Sequence, residues 1–488
     1  MTSLLHLTRI GTILDITRYL VAQENAMEFK ESYQDLVTSP RHFIENFSFP
    51  DPARIKLIDC TLRDGEQMPG VAFSPETKYE IVKAMSDIGI HGAEIGFPAV
   101  SESERQTVKL AVEGKRRGEL RPDFDIVLVC RTAKADVDAT VKGLEDADVD
   151  PAEVYFSTFT SGSDLHIKYK IGRVLMRQEG RDEADYFDTP VEFFRQANIR
   201  LLVDAVKYIR SKGVKKVQIV AEDVSRANVD YIIQLYQAGI AAGGTRPCFA
   251  DTVGCLIPEY AGYYARRLIE SLGAESEVYT HFHNDYGLAT INNIAAFAQG
   301  MEVFNGSLNG LGERAGNASL QEFVAALRWL YGIEIPGFRY DQLRAISRLV
   351  ERHSGVPIAL NDPIIGGGVF THESGVHTAG VLIDPRIYES VPSEAVGAET
   401  GYLYGKHSGT LIVKFALQKN KDELDRHGIE ITEDLVHKVT EQVKVLREKM
   451  AEGDHAEKIV DEIEAAVARL GLTEQDVLNI ALAAKSGQ

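Results

Sequence analysis

Cysteine is scarce in this chain. Four residues in 488, Cys60, Cys130, Cys248 and Cys255, form no Cys-x-x-Cys pair. That pattern excludes a disulfide framework and a structural zinc finger, and it fits a reducing cytoplasm, the compartment expected for the protein. Positive charge is short as well: 53 Lys and Arg face 72 Asp and Glu, for a net charge of -19. General nucleic-acid binding needs a basic face and is excluded on that balance; a local basic pocket for an anionic substrate is not. No apolar run reaches the ~20 residues of a membrane-spanning helix. The N-terminus lacks the basic stretch, apolar block and small-residue cleavage site of a secretion signal. Its Leu and Ile residues, interleaved with Arg9 and Arg18, are expected as a helix packing on the protein. No G-x-G-x-x-G follows the first strand-like run, and there is no P-loop, so the common phosphate cradles are missing too.

What remains is ordinary globular composition, 44% hydrophobic and 26% charged, in a chain long enough for more than one domain. Its middle has a rhythm. Strand-like apolar runs stand at Ile55–Leu62, Gly92–Phe97, Phe124–Cys130, Glu153–Phe159, Lys215–Glu222, Arg246–Thr252, Glu277–His283 and Val303–Leu308. Amphipathic helical stretches such as Pro75–Ile88 and Pro190–Ser211 lie between most of them. Strands alternating with helices over about 250 residues predict a (β/α)8 TIM barrel, with a doubly wound open sheet as the alternative. The expected division is an extension over 1–53, a catalytic barrel over 54–335 and helical subdomains over 336–488. In the last part a Gly-rich piece at Gly366-Gly367-Gly368 precedes Glu373-Ser374-Gly375-Val376-His377, Arg386-Ile387-Tyr388 and Lys406-His407. Beyond Thr432, Leu435, Val439, Val443 and Leu446 repeat at helical spacing, and Thr473 to Asp476 resembles an N-terminal cap.

In a barrel of this kind the chemistry sits where the strands end. Arg63, Asp64, Glu222, Asp251, Thr252, His281 and His283 all fall at such ends. His281 and His283 are two residues apart on one strand, so both imidazoles point the same way. One carboxylate and two same-facing imidazoles can hold a divalent metal with positions left open for substrate. Taken singly, each residue also has a structural reading: Asp64 as a loop cap, Arg63 in an ion pair, Thr252 bonding its own backbone, His166 as a half-buried histidine, His377 at a helix end.

Three motifs in order, Arg63-Asp64-Gly65-Glu66-Gln67, His281-x-His283-Asn284-Asp285 and Gly310-Leu311-Gly312-Glu313-Arg314-Ala315-Gly316-Asn317, resemble the isopropylmalate, homocitrate and citramalate synthase family. The likeness runs from about Arg54 to about residue 415. It implies a divalent metal (zinc, manganese or magnesium) and acetyl-CoA as co-substrate, condensed with a 2-oxo acid to a 2-substituted malate. It implies Asp64, His281 and His283 as metal ligands, with Asn317 completing or bordering the set. Arg63 would face the oxygen where charge develops, Thr252 would hold the substrate carboxylate, and His166 would line the 2-oxo acid pocket. His377 would be the base toward the acetyl methyl group, with Tyr388 and Glu222 as its partners. A homodimer with shared active sites is also implied, with no nucleic-acid or membrane partner.

Two departures shape the substrate expectation. The strand-rich regulatory domain common after the helical subdomains of isopropylmalate synthases is not seen, since the residues after Ser408-Gly409 look helical. The region after the fourth strand, Thr160-Ser161-Gly162-Ser163-Asp164-Leu165-His166, lacks the arginine that homocitrate synthases carry there; Lys168 and Lys170 come next, without need to reach the pocket. An apolar 2-oxo acid, branched or aromatic, is therefore expected over 2-oxoglutarate, and Glu94-Ile95-Gly96-Phe97-Pro98-Ala99 resembles the isopropylmalate branch. A specialised-pathway synthase using phenylpyruvate or phosphonopyruvate, a homocitrate synthase, a metal-dependent lyase or aldolase on the same barrel, and a non-catalytic binding protein are the alternatives.

Overall fold

A computed structural model describes residues 47–451, 458–459 and 461–463. The N-terminal helix expected near Arg9 and Arg18 and the cap expected at Thr473 to Asp476 lie outside these residues. Eight parallel strands close into a barrel in sequence order: β1 (Lys56–Asp59), β2 (Gly92–Gly96), β3 (Asp125–Arg131), β4 (Tyr155–Ser161), β5 (Lys216–Glu222), β6 (Thr245–Asp251), β7 (Tyr279–Phe282) and β8 (Val303–Gly306). Closure is made by β1 on β8, with Lys56 opposite Val303 and Asp59 opposite Gly306. Every strand expected from the apolar runs is present, each within a few residues of its expected bounds.

The helices between strands begin where the sequence supplies caps. In α1 (Pro75–Ile88) the Ser74 hydroxyl accepts the Thr77 N–H at 3.1 Å, Pro75 opens the first turn, and Gly89 ends the helix at φ 103°, a conformation that glycine adopts at little cost. Ser101 caps α2 (Glu102–Arg116) and Asn228 caps a later helix (Val229–Ala241) in the same way. The 21-residue helix Val191–Ser211 buries Phe194, Leu202, Val206 and Ile209 as one apolar stripe. Strand residues are buried on both faces, as parallel sheets wrapped in helices require. Because all strands run one way, residues at their C-terminal ends gather on one rim.

The described residues fall into two compact units. The first holds the barrel and runs to residue 369, with 394–398 added; it includes the helix Leu343–Ser354, which the sequence rhythm places after the barrel. The second takes 370–393 and 399–451. It carries a two-stranded parallel sheet, Thr371–His372 beside Gly401–Tyr402, and four helices: Gly375–Ile383, Thr410–Lys419, Lys421–Arg426 and Glu433–Ala451. The last packs on Thr410–Lys419, and Lys414 pairs with Glu433 at 2.7 Å. Among the described residues no helix is long and apolar enough to cross a membrane.

Candidate active site

Asp64, His281 and His283 converge at the open rim. Their ligand-type atoms all lie within 4.8 Å of one another, and His283 Nε2 is 4.0 Å from Asp64 Oδ2. Asp64 and His281 are fixed by their own neighbours. The Arg63 guanidinium donates to Asp64 Oδ1 at 3.0 Å and to Glu94 Oε2 at 2.7 Å, and the Asn317 amide donates to Asp64 Oδ2. His281 Nδ1 lies 2.7 Å from Asn305 Oδ1, and the Asn305 amide donates to Glu94 Oε1 at 3.2 Å. Asn305 Oδ1 is an acceptor, so His281 carries its proton on Nδ1 and keeps the Nε2 lone pair free. Among the described residues the buried His283 Nδ1 and Asn317 Oδ1 have no hydrogen-bond partner.

Charge at the site comes from these contacts. Burial works to raise the Asp64 carboxyl, but Arg63, the two imidazoles and the Asn317 amide outweigh it and hold it at about 2. Burial, then His281, lowers the His283 imidazole to about 4; burial and the Arg63 charge also lower His281. An ionised carboxylate facing two neutral imidazoles, with orphaned polar atoms beside them, is a donor set that fits a divalent cation such as zinc, manganese or magnesium.

The loop Gly310–Asn317 closes one side. Asn284 N–H donates to Gly316 O and Ala318 N–H to Phe282 O, laying the loop along the end of β7. Glycine is required at 312, where a Cβ would stand 2.3 Å from Asn317 Nδ2 and 2.8 Å from Asp64 Oδ2. Arg314 grips Asp285 with two hydrogen bonds of 2.9 and 3.0 Å and reaches Thr252 O. Thr252 Oγ1 accepts the Asp223 N–H at 2.8 Å, and among the described residues no acceptor takes its own proton, which a ligand can use. Asp251 is fully buried and accepts the N–H groups of Cys255 and Leu256, so it shapes the loop below the rim.

A cavity of about 710 Å³ opens onto this cluster. Arg63, Asp64, Thr252, His281, His283 and Glu222 line it, with Phe97, Val129, Phe159, Val220 and Ala250 as apolar walls. Two expectations change here. His166 is not among the lining residues; its Nε2 sits 3.7 Å from the buried Asp223 Oδ2, drawn toward that carboxylate. Lys170, which had no need to reach the pocket, lines it and donates to Glu222 Oε2 at 2.6 Å. Both residues lie in a π-helical turn over His166–Lys170. Asn317 also lies outside the cavity wall, buried behind Asp64. His377 and Tyr388 belong to the second unit, where both are exposed and their rings stand 4.3 Å apart.

Neither Glu94, which the sequence offers only as part of a branch motif, nor Asn305 is marked as a site residue by the sequence. Their signal was a polar residue inside an otherwise apolar buried strand.

The HMGL-like family model matches residues 54–350, and a homocitrate synthase post-HMGL domain-like model matches 364–451. The first covers more than half of the chain. The chain belongs to the isopropylmalate, homocitrate and citramalate synthase family. Homocitrate synthase AksA of Methanothermobacter thermautotrophicus is 36% identical over 84% of this chain and 94% of its own length. The 2-isopropylmalate synthase of Methanocaldococcus jannaschii is 34% identical over 87% of this chain and 73% of its own. The protein is thus an enzyme, an acyltransferase of the isopropylmalate and homocitrate synthase type.

Proposed function

We propose that this synthase joins acetyl-CoA to a 2-oxo acid with an apolar side chain, branched or aromatic, and releases CoA and a 2-substituted malate in the cytoplasm. The observation that carries the reading is the Asp64, His281 and His283 cluster opening onto a cavity walled by Val129, Phe159 and Val220. A divalent cation held by these three side chains would supply Lewis-acid polarisation to a keto group. The apolar wall takes the substrate side chain. A second carboxylate would meet an acidic lining, because Asp64, Glu66, Glu94, Glu104, Glu222 and Glu313 outnumber Arg63 and Lys170, and both cations are already paired.

The chain's own groups divide the work. The Thr252 hydroxyl donates its free proton to the substrate carboxylate. Arg63, held by Glu94 and Asp64, presents fixed positive charge to the keto oxygen as that oxygen becomes an alkoxide. His377 takes a proton from the acetyl methyl group, with Glu222 and Tyr388 as partners. The methyl carbon then bonds to the keto carbon, the C=O π pair moves to oxygen, and that oxygen is protonated. Water adds to the thioester, the C–S bond breaks, and CoA leaves as the thiol. The assembly proposed for this chemistry is a homodimer in which the helical subdomain of one subunit serves the barrel of the other.

The test is thiol release from acetyl-CoA, with kcat/KM compared for 2-oxoisovalerate, phenylpyruvate, pyruvate, phosphonopyruvate and 2-oxoglutarate at one metal and one pH. 2-Oxoisovalerate or phenylpyruvate is expected to lead by about tenfold or more, since a buried unpaired carboxylate costs on the order of a few kcal/mol. A lead for 2-oxoglutarate overturns the apolar reading.

A further inference from the structure

We infer that Lys170 is a positioning residue that holds the Glu222 carboxylate in its working orientation inside the cavity. The inference rests on the proposed role of Glu222 and adds to it the group that aims it.

The backbone of Glu222 is fixed by the sheet: it stands in register with Ser161, and its carbonyl accepts the Gly162 N–H at 2.7 Å. Its side chain is not fixed that way. Among the described residues the carboxylate has one hydrogen-bond donor, Lys170 Nζ, at 2.6 Å from Oε2. Lys170 is the last residue of the π-helical turn after β4. That turn sorts its residues. Ile167 is buried, and the Lys168 ammonium is used up on the carbonyls of Phe187 and Thr189 at 3.2 and 3.0 Å. Tyr169 faces outward, and Lys170 alone of the two lysines enters the cavity wall. A π turn adds a residue to the helical circuit and rotates the side chains beyond it, which is why such turns recur at functional sites.

The pair is a poor structural element. Lys170 is 49% exposed and Glu222 26%, and ion pairs of that exposure add little to folding. It is placed instead where orientation matters, over the apolar wall of Phe159 and Val220. A carboxylate that must support a base toward a bound methyl group loses rate when it swings among rotamers, since reaction requires a narrow geometry. An ammonium at one of its oxygens removes that freedom and leaves the other oxygen for a partner.

The experiment measures kcat and KM in the holoenzyme for Lys170→Met, Lys170→Gln, Lys170→Arg, Glu222→Gln and the Lys170→Met/Glu222→Gln double variant, with thermal unfolding as a control. Lys170→Met and Lys170→Gln should lower kcat by roughly 10- to 100-fold. KM for the 2-oxo acid should stay within about twofold and the unfolding temperature should hold. Lys170→Arg should regain most of the rate. In the Glu222→Gln background, Lys170→Met should cost nothing more. An unchanged kcat, a loss that persists in full on top of Glu222→Gln, or a KM effect confined to 2-oxoglutarate would overturn the inference; the last would make Lys170 a substrate contact. Wild-type enzyme that releases no thiol with any 2-oxo acid would instead overturn the condensation reading, before any variant is made.

Discussion

The two ends of the barrel carry charge in different ways. At the N-terminal end Arg246, 2% exposed, lies 2.8 Å from Asp125 and 2.9 Å from Glu277, and its guanidinium stacks on Tyr155. Lys56 pairs with Glu277, and Lys216 reaches Asp125. His91, also at that end, accepts the Leu57 N–H at 3.1 Å. There the cations and carboxylates answer one another, and the cavity that touches them, at Glu277, is small, about 20 Å³. At the C-terminal end Arg63 is likewise paired with Glu94 and Asp64, yet Asp64, His281 and His283 also turn their ligand-type atoms toward one another and open onto a large cavity. Buried charge in a closed network holds a fold in register. Buried donor atoms converging on one point, beside open space, are arranged for a ligand.

The largest effect should come from breaking the cavity end. Asp64→Ala or the His281→Ala/His283→Ala pair should strip the divalent metal and cut kcat by about 10⁴-fold or more, on the scale of removing an essential electrostatic group. The metal-free variants should unfold at nearly the temperature of the metal-free wild type. Metal analysis and calorimetry read the two sides, and a folded, active, metal-free double variant would end the comparison.

Breaking the closed end should do the reverse. Arg246→Met leaves Asp125 and Glu277 without their buried cation and should cost roughly 3–5 kcal/mol of stability. The protein that remains folded should keep its kcat. Chemical denaturation alongside kinetics checks this, and a fall in kcat at full stability would make the two ends one system.

A smaller effect concerns pH. Burial, helped by the Arg121 charge, lowers the His91 imidazole to about 4. The unfolded chain takes up that proton near pH 6.5 and the folded chain does not. Stability is therefore intact above about 6.5 and declines as pH falls toward 4, by about 2–3 kcal/mol at the limit. His91→Asn should flatten that part of the profile. Denaturation midpoints at pH 7 and pH 4.5, wild type against variant, decide it; an unchanged difference removes His91 from the account.

Much of this contrast was legible in the sequence. Apolar runs mark the eight strands because both faces of a parallel sheet are buried, and strand ends single out Asp64, Thr252, His281 and His283. Partners from distant strands were less legible. Glu94 beside Arg63 and Asn305 beside His281 depend on barrel register, which no local pattern contains. The turn after β4 was less legible as well: its backbone is π-helical, and it holds His166 near Asp223 and Lys170 in the cavity wall. In the second unit, the contact of His377 with Tyr388 joins two motifs read separately in the sequence.

The most direct test is anomalous scattering from crystals grown with manganese and 2-oxoisovalerate, using protein from an active batch. One strong peak within coordination distance of Asp64, His281 and His283 is the expected result. A fully active protein whose manganese lies elsewhere, with these three side chains unliganded, would contradict it.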